Sequence, residues 1–239
     1  MGFESQQFRD ELAKEIKEAP KAERKEILEK TKETSDYWQA RTEKVKERQD
    51  EEEVDDGLGI FLKKKTLYHG SGTGGIEQFN KAEEDTVGSG IYFTSEAKDA
   101  IGYARRRSRG REGTLPIIYE SSVENMKMLD LRKDENVKKV LEGFREVLKN
   151  KLKEPDLKWY YEESLENAVK AIDESKVNAG NLRKVTYSVC QMFSDYVQSL
   201  GYEGLVTFEG GEGEDIKNHD TYLIFDPEKV KVNREQRVL

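Results

Sequence analysis

Between Asp134 and Leu200 the chain carries the spacing of amphipathic helix, and on both sides of that block it carries short strand-like runs. Val137, Val140, Leu141, Phe144, Val147 and Leu148 recur at i, i+3, i+4, i+7. Leu165, Ala168, Val169 and Ile172 repeat the pattern, as do Leu182, Val185, Val189, Phe193, Tyr196, Val197 and Leu200. The β-like runs fall at 66–68, 90–94, 116–120, 127–131, 203–208 and 221–226, separated by glycine-rich turns. A β half, a helical insertion at about 134–200 and a closing β half make an α+β architecture.

Residues 1–57 differ in texture. Phe8, Leu12 and Ile16 form one thin apolar stripe, Pro20 interrupts it, and Ile27, Leu28, Tyr37, Trp38 and Val45 are sparse among charges. This segment holds 12 Lys/Arg against 18 Asp/Glu, so it carries most of the net charge of -8. It reads as a helical N-terminal arm closed by an acidic, glycine-terminated linker over 50–57, with the main domain at 58–239. The nearly balanced remainder neither demands nor excludes nucleic acid.

One cysteine, Cys190, leaves no intrachain disulfide, and two histidines with it cannot build the usual clustered zinc site, so no metal is expected. No run approaches the roughly 18 apolar residues of a membrane span, and the N-terminus carries no secretory pattern. The expected setting is the cytoplasm, and delivery by a specialised injection system would need no readable signal.

The chemistry-bearing residues lie in the β-rich parts. His69 ends the run Leu67-Tyr68-His69-Gly70-Ser71, with bare backbone after it that a ligand can approach closely. Tyr92 lies in Gly90-Ile91-Tyr92-Phe93-Thr94, where alternation turns it away from Ile91 and Phe93. Thr94 or Ser95 is placed to cap a following helix, whose buried stripe is Ala97, Ala100, Ile101 and Ala104, with Tyr103 beside it. Taken singly, each of these also reads as ordinary packing. The arginines Arg105, Arg106, Arg107, Arg109 and Arg111 close the helix, either as favourable cations at its C-terminus or as a phosphate contact. The glycine clusters at 70–75 and 210–213 read as turns, and His219 as a surface-loop histidine.

The order and spacing of these motifs resemble the ADP-ribosyltransferase superfamily, in its His-Tyr-Glu branch of poly(ADP-ribose) polymerases and diphtheria-like toxins. That branch has a His-Gly-Ser strand, then Gly-x-Gly-Ile-Tyr-Phe, with a second tyrosine eleven positions after the first, as Tyr103 follows Tyr92. Its frequent serine eight positions after the first tyrosine is Ala100 here. The blocks Gly201-Tyr202-Glu203-Gly204-Leu205-Val206 and Tyr222-Leu223-Ile224-Phe225-Asp226-Pro227 look like the closing strands of the same fold. The similarity covers about 58–130 and 201–232.

The resemblance implies a small split antiparallel β-sandwich and NAD as co-substrate. His69 would orient the nicotinamide-side ribose, Gly70 and Gly90 would line the nicotinamide site, and Ser71 would reach the adenine-side ribose. Tyr92 and Tyr103 would sandwich the nicotinamide ring. Residues 80–89 would cover the dinucleotide. The branch's glutamate, which binds the ribose 2′-hydroxyl, is replaced by Thr221. Asp220 is adjacent but faces the other way unless a bulge intervenes, and Glu209, Glu212, Glu214 and Asp215 precede it. The implied activity is mono-ADP-ribosyl transfer to a macromolecular acceptor, protein or nucleic acid, with nicotinamide release, as in a toxin or effector. A module of the same fold that binds NAD or ADP-ribose without catalysis is the competing reading.

Overall fold

The computed structural model describes residues 53–55, 57–81, 87–109, 114–174, 177–209 and 219–238. The helical arm expected before residue 53 lies outside them, as do half of the covering loop (82–86), Arg111, and the 210–213 glycines with Glu212, Glu214 and Asp215. Among the described residues no helix is long and apolar enough to cross a membrane.

Among the described residues seven strands form the sheet: β1 (Glu53–Asp55), β2 (Gly59–Ser71), β3 (Ile91–Thr94), β4 (Ile117–Asp130), β5 (Gly204–Glu209), β6 (His219–Ile224) and β7 (Lys231–Arg237). The order is β1-β2-β3-β6-β5-β4-β7, and β2 also pairs with β4, so the ladder closes on itself. Two layers result. One is β1-β2-β4-β7 and the other is β3-β6-β5. They join at Tyr68 opposite Thr94 on one side, and at the parallel contact of Met128–Asp130 with Gly204–Val206 on the other. Every other pairing is antiparallel. The fold is α+β, a split β-sandwich carrying helices.

Between the layers lies one apolar core, including Leu67, Phe79, Ile91, Phe93, Tyr119, Met126, Val206, Tyr222 and Ile224. The outer face of β3-β6-β5 is covered by the predicted helical insertion: α2 (Asp134–Lys151), α3 (Trp159–Asp173), α4 (Arg183–Thr186) and α5 (Cys190–Ser199). Leu205, Leu223 and Phe225 meet Phe144, Leu165 and Phe193 there. Gly143 of α2 lets the Tyr196 side chain approach closely, because a Cβ there would collide with the Tyr196 hydroxyl unless that ring moved. The continuous helix expected over 182–200 is instead interrupted by a 3-10 turn at Tyr187–Val189. The outer face of β2 and β4 is covered by α1 (Ala97–Ser108), whose buried Ala97 and Ala100 pack on Tyr68, Ile118 and Val238.

Several boundaries correct the sequence reading. The acidic stretch assigned to a linker contains β1, paired with Ile60–Leu62. The runs at 116–120 and 127–131 are one strand. Its polar middle, Ser121-Ser122 and Glu124-Asn125, breaks the apolar signal, and Asn125 adopts a left-handed conformation at φ 53°. Strand β7 is mostly exposed and highly charged, so it shows no alternation to read.

Candidate active site

The β2–β3 ladder is a single cross-strand pair, Tyr68 and Thr94. Beyond it, the His69 side chain takes over: Nδ1 lies 2.8 Å from the Tyr92 carbonyl oxygen. A carbonyl can only accept, so Nδ1 carries the proton and Nε2 of the neutral ring is an acceptor. The ring packs edge-on against Phe79 (4.9 Å between centroids) and Phe93 (5.7 Å). Burial lowers the pKa of His69, the carbonyl bond pulls it back up, and the Arg107 charge lowers it again. The net shift is downward, which keeps the imidazole neutral at pH 7.

Tyr92 faces away from Ile91 and Phe93, as alternation requires. Its half-buried ring packs against the helical core on the outer face. Its hydroxyl accepts from the amides of Val87 (3.1 Å) and Gly88 (3.0 Å) and donates to the Gly88 carbonyl (2.7 Å). The His69 imidazole and the Tyr92 phenol therefore lie on opposite faces of β3 and are joined through Tyr92's own carbonyl.

Tyr103 arrives on α1. The helix crosses β2 at Gly70, where a Cβ would collide with the Ala100 carbonyl and stand 2.6 Å from the Ala104 amide nitrogen and 2.9 Å from Tyr103 Cβ. Only glycine admits the helix this close. The Tyr103 hydroxyl lies 3.5 Å from Nε2 of His219, with the rings edge-on at 5.9 Å, and the Arg106 guanidinium sits 4.7 Å over the Tyr103 ring. His219 is thus not a loop histidine. It is half-buried and opens β6. The signal was available, since His219 lies two residues before Thr221 and shares its strand face.

Thr221 is buried at 2% exposure, opposite Thr94 on β3 and Thr207 on β5. Three threonines therefore cross the sheet in one row, and the neighbouring row is Tyr92, Leu223 and Leu205. Asp99, in the first turn of α1, hydrogen-bonds Thr94. Burial raises its carboxyl above the ordinary value, while the charges of His219 and Lys98 oppose that shift. Its Oδ2 is buried without a hydrogen-bond partner. The same carboxylate is a favourable charge in the first turn of α1.

The remaining candidates fall elsewhere. Asp220 projects from the opposite face of β6 and accepts from Arg132 Nη1 at 2.7 Å; the same guanidinium bonds Asp130 through Nε (2.8 Å) and Nη2 (3.1 Å). Burial alone would lower the Arg132 pKa, but the Asp130 bond and the Asp130 and Asp220 charges hold it above its ordinary value. Ser71 accepts from the Thr73 amide at 3.0 Å. Gly90 lacks room for a side chain because Ile224 O would lie 2.6 Å from its Cβ. Ala100 is wholly buried under α1. The 72–75 segment is a turn, held by Tyr119 donating to Thr73 O (2.8 Å) and by Glu235 accepting from the Gly75 amide (2.7 Å). The cap of α1 is Glu96, with the Thr94 hydroxyl accepting from its amide at 3.2 Å.

Residues 63–237 match the family described as the ADP-ribosyltransferase in polyvalent proteins. The chain belongs to that family. Membership assigns this ADP-ribosyltransferase domain to ADP-ribosyl transfer. A solved structure, that of the M. tuberculosis MbcT-MbcA toxin-antitoxin complex, is similar at 12% identity and a TM-score of 0.39, over 80% of this chain and 90% of that one. No curated protein matches.

Proposed function

We propose that the chain is an NAD-dependent mono-ADP-ribosyltransferase of the His-Tyr-Glu branch, with Thr221 at the glutamate position. It would transfer ADP-ribose to a macromolecule and release nicotinamide. The observation that carries this reading is the seam between β2 and β3. There a neutral His69 bonds the β3 backbone, and the next residue, Gly70, bares the backbone under Tyr103, within an ADP-ribosyltransferase domain.

The residues fit the co-substrate. His69 Nε2 accepts from a ribose hydroxyl, the Gly70 backbone pairs with the carboxamide, and Ser71 lies along the adenine side. Tyr92 and Tyr103 supply aromatic faces, whose attraction for a cationic ring is on the order of 1–2 kcal/mol. When bound, NAD supplies the labile bond between ribose and a positively charged leaving ring. The chain's part is to hold that ring, orient the sugar and stabilise the charge that develops on it. Arg106 and Arg107, at the helix end beside Gly72, would be the phosphate contacts. The setting that fits is the cytoplasm, reached through an injection system if the protein acts as an effector.

One observation favours the competing reading of a binding module: β6 presents a buried threonine and no carboxylate on its site-facing row. Incubating the purified chain with labelled NAD and a cell lysate, with and without nuclease, separates the two. Transfer predicts free nicotinamide and label in macromolecular material, with nuclease sensitivity identifying a nucleic-acid acceptor. NAD bound with no nicotinamide released would overturn the transferase.

A further inference from the structure

We propose that Asp99 on α1 supplies the carboxylate that Thr221 lacks on β6. The proposal rests on the reading that NAD is the co-substrate.

Placement comes first. Thr94 is the direct cross-strand partner of Thr221, and the Asp99 carboxyl hydrogen-bonds Thr94. Asp99 therefore stands beside the strand position from which a glutamate at 221 would project. Asp99 and Tyr103 are four residues apart on α1 and share a helix face. Tyr103 meets His219, which lies on the Thr221 face of β6. The α1 face that carries Asp99 and Tyr103 thus reaches the start of β6 at His219.

Availability comes second. Asp99 Oδ2 is buried and has no hydrogen-bond partner, a state that is unfavourable until a donor arrives. A ribose hydroxyl is such a donor. Burial raises the Asp99 carboxyl above the ordinary value, the charges of His219 from β6 and Lys98 from α1 and the Thr94 hydrogen bond act against that shift, and Lys98 is itself paired with Glu96. The chemistry requires no new bond to Asp99. The C1′–N bond breaks with its electron pair going to the ring nitrogen, so nicotinamide leaves neutral. The nucleophile of the acceptor donates the pair that forms the new bond to C1′, and its proton passes to water. Asp99 accepts from the adjacent ribose hydroxyl and faces the positive charge developing at C1′.

The test uses Asp99→Asn, Asp99→Glu and the double variant Asp99→Asn/Thr221→Glu, with NAD affinity by calorimetry, nicotinamide release and melting temperature measured for each. Asp99→Asn should bind NAD within about threefold of the parent yet release nicotinamide about 100-fold more slowly. Asp99→Glu should keep at least about a tenth of the rate. The double variant should recover rate over Asp99→Asn, because the carboxylate returns from the strand side. Release by Asp99→Asn within about threefold of the parent would overturn the proposal. So would equal losses of affinity and rate that Asp99→Glu fails to restore. A parent chain that binds NAD but releases no nicotinamide would fail at the earlier step and remove the transferase reading itself.

Discussion

Thr94 and Thr221 face each other across β3 and β6, and the Asp99 carboxyl bonds the first of them. A carboxylate introduced at Thr221 alone would enter a buried site that already holds one. Thr221→Glu should therefore lower stability by about 3 kcal/mol, the scale of burying an unpaired charge. Urea unfolding measures it. The same substitution on an Asp99→Asn background should cost clearly less, and equal costs would show that the two positions are not neighbours in energy.

Gly70 is a packing requirement before it is a binding feature. Gly70→Ala drives a Cβ into the Ala100 carbonyl and the Ala104 amide, both backbone atoms. The helix must shift, at a cost of about 2 kcal/mol. Because Tyr103 rides on that helix, NAD affinity should fall with stability, as calorimetry and thermal melting would reveal together.

The Tyr92 hydroxyl satisfies two amides and one carbonyl at Val87 and Gly88. Tyr92→Phe keeps the ring and removes the latch. The expected loss is about 2 kcal/mol, from polar groups left without a partner. Hydrogen exchange at Val87 and Gly88 should accelerate, and unchanged protection there would contradict the assignment.

Asp220 belongs to the Arg132 network on the far face of β6. Arg132→Ala leaves Asp130 and Asp220 facing each other without their cation and should cost about 2–3 kcal/mol, since the group is partly solvated. Asp220→Asn, in contrast, should leave nicotinamide release within about twofold of the parent.

His69 gives a pH signature. Its folded pKa lies below its unfolded value of 6.5. Its contribution is therefore fully present above that value and is lost as pH falls toward the folded pKa. Stability should be flat near neutrality and decline below about 6.5, and His69→Ala should flatten that part of the profile.

Much of this was legible in the chain. Tyr92's orientation follows from alternation with Ile91 and Phe93, and the alanine stripe of α1 from helical spacing. The helical insertion announced itself because its buried faces repeat over three segments. The extents of β2 and β4 were not legible, because Lys63–Lys65 and Ser121–Asn125 interrupt their apolar pattern. Neither was β1, whose acidic residues have low strand preference. The site's second half was hidden for another reason. Asp99 and His219 belong to different elements, and only tertiary packing brings α1 over the start of β6.

NAD cleavage at this seam, with His69 orienting the sugar, is the step on which the proposed function stands. The direct measurement is nicotinamide released from NAD by the parent chain and by His69→Ala, with melting temperatures recorded alongside. The parent should release nicotinamide and the variant should lose at least about 100-fold, with the fold retained. Equal release by both would contradict it.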